Sequence, residues 1–262
     1  QTMNKENYEI LVIDNGSSDN TKNMVESFMD KINIKYFYDD NPGLHTGRHK
    51  GLEESKSDVL VYCDDDIEAL PNWLEGIKES FEDKKVVLVG GKNLPEYEIT
   101  PPEWITEMWN KNKKKNWYLS ILDLGDEIKE IKPYHVWGCN FSIRKSVLLE
   151  AGGFHPDAMP QDMIKYRGDG ESYVSEYILK KGYKVSYNPK ASVYHFVSKE
   201  RMTPEYFERR AFNQGISDSY TQIRNREKGN KNYQNINLVT ILRNIKRIIY
   251  INYKKIVPEK KH

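Results

Sequence analysis

Three consecutive carboxylates, Asp64-Asp65-Asp66, stand directly after the apolar run Val59–Cys63. Like charges this close raise one another's pKa, and a divalent cation removes that cost. Hard oxygen ligands suit Mg²⁺ or Mn²⁺, ions that keep open positions for phosphate oxygens. The other reading is a solvated acidic turn capping the helix that begins near Pro71, and the triplet alone does not choose between them. A second polar cluster, Asp14-Asn15-Gly16-Ser17-Ser18-Asp19, also follows an apolar run and offers donors and acceptors for a base or ribose. Arg48 falls on the helical segment before the acidic strand. It reads either as a group reaching a nucleobase or diphosphate or as a surface helix charge.

The elements that must position these groups alternate. Apolar runs at Tyr8–Ile13, Ile34–Tyr38, Val59–Cys63 and Val86–Val89 are separated by helical patterns at Asp19–Asp30, Thr46–Ser55 and Asn72–Asp83. This alternation predicts an α/β, doubly wound, mostly parallel sheet covered on both faces. Ligands gather outside the carboxyl ends of such strands, and both polar clusters fall there. From Asn93 to Pro133, prolines, tryptophans and the basic run Lys111–Lys115 suggest an irregular insertion with one short helix. A strand pattern follows at His135–Arg144, then a helix from Glu171 to Lys181, strands at Lys184–Tyr187 and Ser192–Phe196, and a long helix from Pro204 to about Arg226.

The 262 residues carry 40 Lys and Arg against 39 Asp and Glu, so no global field recruits nucleic acid. Cys63 and Cys139 share no metal-type spacing and read as small buried side chains in a reducing cytosol. No apolar run approaches the ~20 residues of a spanning helix, and no signal peptide is visible, so a cytoplasmic location is expected.

Taken in order, the motifs resemble glycosyltransferase family 2, the inverting enzymes of GT-A fold. The run Glu9–Thr21 resembles the family's acidic-x-Gly-Ser-x-Asp-x-Thr strand end. Arg48-His49-Lys50-Gly51 resembles Arg-Asn-x-Gly, with His49 in place of Asn, and Asp64-Asp65-Asp66 resembles Asp-x-Asp. Trp137-Gly138-Cys139-Asn140 through Arg144, followed by Gly152-Gly153-Phe154, resembles the acceptor-side strand and its turn. The similarity spans about Tyr8 to His195. It implies a hexosyltransferase-type enzyme taking a sugar from a nucleoside-diphosphate donor to a glycan, polysaccharide or lipid-linked acceptor. It assigns Asp14, Arg48, Asp64 and Asp65 to the donor, Asp66 and His195 to the Mg²⁺ or Mn²⁺, and Trp137, Gly138 and Asn140 to the acceptor side.

Inverting transfer needs a carboxylate to take the acceptor hydroxyl's proton and a cation to stabilise the leaving diphosphate. Counting back from Gly182, the family's base position falls on Glu171, with Asp169 second and Gly170 where a Glu is usual. Both acids also suit a helix N-terminus without any chemistry. The resemblance further implies that a first strand and helix lie outside this sequence. That leaves two expectations, an inactive fragment or another segment substituting. A domain over 1–200 is expected, with a helical extension over 201–262. Apolar and basic residues at Asn237–Ile256 alternate at near-helical spacing. They suit packing on the domain or contact with the cytoplasmic membrane face. A haloacid-dehalogenase-like phosphatase would want Thr or Val where Glu68 stands. A nucleotide-sugar-binding module without turnover is the rival from another class.

Overall fold

The computed structural model describes residues 1–227, so the amphipathic stretch 237–256 lies outside the described residues. In chain order the elements are β1 (Ile10–Asp14), α1 (Thr21–Glu26), β2 (Ile34–Tyr38), α2 (Leu44–Glu54), β3 (Val59–Cys63), β4 (Ile67–Ala69) and α3 (Trp73–Phe81). Next come β5 (Val86–Gly90), β6 (Asn93–Tyr97), α4 (Glu103–Lys111), β7 (Lys115–Asn116), β8 (Ile121–Leu122) and β9 (Lys129–Glu130). The last are β10 (Asn140–Arg144), α5 (Lys145–Ala151), α6 (Gly170–Lys181), β11 (Lys184–Tyr187), β12 (Val193–Val197) and α7 (Pro204–Glu227). Residues Gln1–Asp218 form one compact unit.

Three sheets result. β1 and β2 pair in parallel by themselves, and two five-stranded sheets have the orders β3-β10-β5-β11-β9 and β4-β12-β6-β8-β7. In the first of these, β3, β5 and β11 point the same way, while β10 enters antiparallel between β3 and β5. The apolar run of β5 is buried at every residue because its sheet is covered on both faces. Leu52 of α2, Leu148 of α5 and Val174 and Ile178 of α6 pack with Leu60, Phe141 and Ile143 on one side. Trp73, Ile77 and Phe81 of α3 pack with Val86 and Val89 on the other.

The chain passes from the first large sheet to the second three times, from β3 to β4, from β5 to β6 and from β11 to β12, each time within a few residues. Asp64-Asp65-Asp66 is the first crossing, so the triplet sits at the seam. The segment 93–133 is not an irregular insertion, as expected above. It supplies β6, β7 and β8 to the second sheet and β9 to the first. Its Trp104 and Trp109 pack onto a cluster of Ile105, Leu119, Ile121, Val197 and Met202. The strand expected from His135 begins only at Asn140, because Pro133–His135 is a turn of 3-10 helix. Cys139 is buried as expected, but Cys63 is exposed where β3 leaves its sheet.

Candidate functional site

Strand register brings the acidic triplet to its partners. β12 runs antiparallel to β4 with His195 opposite Ile67, and the Phe196 N–H donates to the Asp66 carbonyl at 2.9 Å. His195 therefore lies beside Asp66, with its side chain only 3% exposed and Nε2 3.3 Å from Asp66 Oδ1. Asp64, Asp66 and His195 each present a ligand atom within 4.8 Å of the others. Among the described residues, Asp66 Oδ1 is a buried oxygen with no hydrogen-bond partner, and His195 Nδ1 is likewise unpaired. A buried polar atom left unpaired costs stability unless a ligand completes it. Two carboxylate oxygens and an imidazole nitrogen fit a divalent cation such as Mn²⁺ or Mg²⁺. Burial pushes Asp66 up, yet His195 and Arg201 outweigh it and hold its carboxyl below the usual range. Burial raises Asp64 despite Arg48, with Asp66 and Glu171 adding to the rise.

A second register brings Glu171 to the same place. β10 runs antiparallel to β3 with Asn140 opposite Cys63, so the turn at Gly138-Cys139 adjoins the same end of the pair from which Asp64 departs. The Gly138 N–H points to Glu171 Oε1 at 3.4 Å. Arg48, on α2 and only 7% exposed, donates through Nη1 to Glu171 Oε2 at 3.2 Å and places Nη2 3.8 Å from Asp64 Oδ1. Its guanidinium also lies 5.3 Å from the centre of the Phe154 ring, a cation–π contact. A Cβ at residue 138 would stand 2.1 Å from Arg48 Nη2, so any side chain there displaces the guanidinium. Burial pushes Glu171 up, but the charge of Arg48 and the hydrogen bonds from Arg48 and Gly138 bring it below its ordinary value of 4.5. Glu171 is thus ionised at neutral pH, with its side chain 26% exposed.

The head of α6 is clasped to the loop after Phe154. His155 Nδ1 meets Asp169 Oδ1 at 2.5 Å, Arg167 Nη2 pairs with Asp157 Oδ1 at 2.7 Å, and the Gly168 N–H donates to the Pro156 carbonyl at 2.7 Å. His155 stacks on Tyr173, with ring centres 3.8 Å apart. Gly170 takes φ +50°, and a Cβ on it would reach 2.5 Å from Asp157 Oδ2. Asp169 is thereby tied to His155 with only 2% of its side chain exposed. Of the two acids at this helix start, Glu171 is the one beside Asp64.

With this geometry in view, the sequence profile of Glycosyl transferase family 2 matches residues 1–152. The chain belongs to glycosyl transferase family 2. Within that family it is 25% identical over 213 residues to the glucosyl-dolichyl phosphate glucuronosyltransferase of Haloferax volcanii, covering 80% of this chain and 66% of the relative. It is 26% identical over 212 residues to the O-antigen chain rhamnosyltransferase WbaN of Salmonella anatum, covering 79% and 62%. The matches thus cover less than two thirds of either relative. Among solved structures, TarS of S. aureus in complex with UDP-GlcNAc superposes with a TM-score of 0.53 at 15% identity, covering 81% of this chain and 59% of that one. The mannosyltransferase PcManGT of Pyrobaculum calidifontis, in complex with GDP-Man and Mn²⁺, gives 0.51 at 16% identity over 76% and 50%. The α/β architecture described above is the GT-A fold of these glycosyltransferases.

The remaining family 2 motif residues are placed less centrally. Asp14, at the end of β1, has both oxygens engaged: Oδ1 accepts from Ser17 N at 2.7 Å and Oδ2 from Tyr36 OH at 2.6 Å. The Tyr36 hydrogen bond is the main reason its carboxyl is held below the usual range. Asp65 is exposed, in the turn that joins β3 to β4, and stays outside the trio. Asn140 is fully buried; its amide binds Asn93 and the Ala191 carbonyl, and its Oδ1 accepts from Trp73 Nε1 at 3.0 Å. These contacts hold its side chain inside the fold, only 1% exposed. Trp137, half-buried, donates to the Tyr134 carbonyl. Sequence reasoning missed two contributors, Arg201 at Asp66 and His155 at Asp169. For Arg201 the only signal was a basic residue in the polar turn just beyond the His195 strand.

Proposed function

We propose that this chain transfers a sugar from a nucleoside diphosphate to a hydroxyl group, inverting the anomeric carbon, with Glu171 as base. One observation carries the reading: the buried Arg48 touches both Asp64 of the ion-binding trio and Glu171. A base and a leaving-group site held by one side chain suit direct displacement, which needs both at one carbon.

Asp64, Asp66 and His195 would hold Mg²⁺ or Mn²⁺, which when bound supplies positive charge to a departing diphosphate. Glu171, ionised and partly open, takes the acceptor hydroxyl's proton on Oε1 or Oε2. Arg48 fixes the direction of that carboxylate, and Gly138 leaves room for the arginine. The clasp around Asp169 holds the start of α6, so Asp169 acts on position and not on the substrate. Asp14 and Asp65 lie on the donor side, as the resemblance implies. The Haloferax relative is named for glucosyl-dolichyl phosphate and the Salmonella relative for the O-antigen chain. Both names support a lipid-linked or polymeric glycan acceptor. Among the described residues no helix is long and apolar enough to cross a membrane.

The test is a panel of UDP-, GDP- and dTDP-sugars, each incubated with Mn²⁺ while nucleoside diphosphate release is followed. Release from one donor that disappears with EDTA and in Glu171→Gln supports the proposal. Donor binding without release from any member of the panel would favour a binding module instead.

A further inference from the structure

Arg201 is absorbed by none of the roles above, yet it makes the shortest ion pair at the trio. It sits in the 3-10 turn Lys199–Met202 just after β12, and its Nη2 lies 2.8 Å from Asp66 Oδ2. The backbone there is anchored by Met202, buried in the cluster with Ile105, Leu119 and Val197. The guanidinium itself is 34% exposed and, among the described residues, otherwise has a long contact, 3.5 Å, from Nη1 to the Phe196 carbonyl. The two oxygens of Asp66 therefore have opposite situations. Oδ1 faces His195 and lacks a hydrogen bond, while Oδ2 is held by a cation on a long, partly solvated side chain.

Two positive charges cannot share one carboxylate cheaply in a half-buried setting. An ion drawing on Asp66 competes with Arg201 for the same negative charge, and the ligand atoms, now up to 4.8 Å apart, must also close to ion-ligand distances. We propose that Arg201 is an exchangeable counter-ion: it neutralises Asp66 before a divalent cation binds, yields the carboxylate to that cation, and then meets the phosphate oxygens the cation brings. The inference rests on the donor-site reading above and adds a coupling to it. An arginine freed next to a bound diphosphate gains charge-assisted hydrogen bonds of the same strength it gave up. Ion and diphosphate should therefore bind far better together than apart.

The experiment is Mn²⁺ titration of the full chain followed by EPR of the free ion, with and without UDP or GDP, on wild type, Arg201→Met and Arg201→Lys. Thermal melts verify that each variant folds. With Mn²⁺ alone, Arg201→Met should bind about three- to tenfold more tightly than wild type, because the competing charge is gone. With Mn²⁺ saturating, its affinity for the diphosphate should fall about tenfold or more. Arg201→Lys should restore most of both values. Unchanged or weaker Mn²⁺ binding in Arg201→Met, with wild type binding normally, overturns the exchange and leaves the donor site standing. Absence of Mn²⁺ binding in the wild type even with UDP or GDP present removes the donor site and the exchange together.

Discussion

Two arginines serve the two halves of the site, and their surroundings separate a fixed brace from a movable one. Arg48 is 7% exposed, projects from a regular helix, lies over Phe154 and fills the space that Gly138 leaves. Arg201 is 34% exposed, projects from a short turn and is held by one strong contact. The buried arginine has lost its water and is compensated chiefly by Glu171 and Asp64, so neither acid can leave without weakening the support of a buried charge. Solvent stands ready to replace the partner of the exposed one. Burial, more than the number of ion pairs, decides which acidic group keeps its geometry through a catalytic cycle.

The largest contrast is expected at Glu171. Glu171→Gln should lower turnover by about a thousandfold or more, the scale of a lost general base, while donor affinity measured by calorimetry changes little. Arg48→Met comes next. Stranding two half-buried carboxylates should cost about 1–3 kcal/mol in urea unfolding, and turnover should fall with it. The pH profile gives its sign. Arg48 holds Glu171 below 4.5, so this pair's stabilisation is present above that pH and is lost as pH falls through the lowered value. Without Arg48 burial dominates, and the acid limb of kcat/KM should move to higher pH. Gly138→Ala should reproduce a milder form of the Arg48 defect, since the added methyl displaces the guanidinium and not the carboxylates. A normal pH profile in that variant would detach Arg48 from Glu171.

Smaller effects are expected where the clasp is touched. His155→Ala removes a partner of a nearly buried Asp169 and should cost about 1–3 kcal/mol of stability, with Mn²⁺ binding unaltered. A loss of turnover in Asp169→Asn equal to that of Glu171→Gln, with folding intact, would transfer the base to Asp169.

The long elements were legible because burial on two faces writes itself as unbroken apolar runs. β2, β3 and β11 match the expected spans, and β5 extends its span by one residue to Gly90. The region 93–133 was misread for a physical reason. Pro95 argues against a paired strand, yet β8 reaches β6 only at Asn93, so no donor is demanded of Pro95 on that side. Strands of two residues such as β7 and β9 are too short to carry a period. Within the site, residue type pointed to Asp64, Asp66, His195 and Glu171. Which of the three aspartates turns outward was not legible, because that depends on register against β12. Nor could Arg201 be found, since a charge in a short polar turn looks the same whether it meets solvent or Asp66.

Anomalous diffraction from crystals grown with Mn²⁺ and UDP or GDP tests the central assignment most directly. The expected result is a peak within coordination distance of Asp64, Asp66 and His195, with diphosphate oxygens completing the shell and Glu171 facing the open side. A Mn²⁺ peak that leaves His195 and Asp66 unligated, or a diphosphate bound away from Asp64 and Asp66, would contradict it.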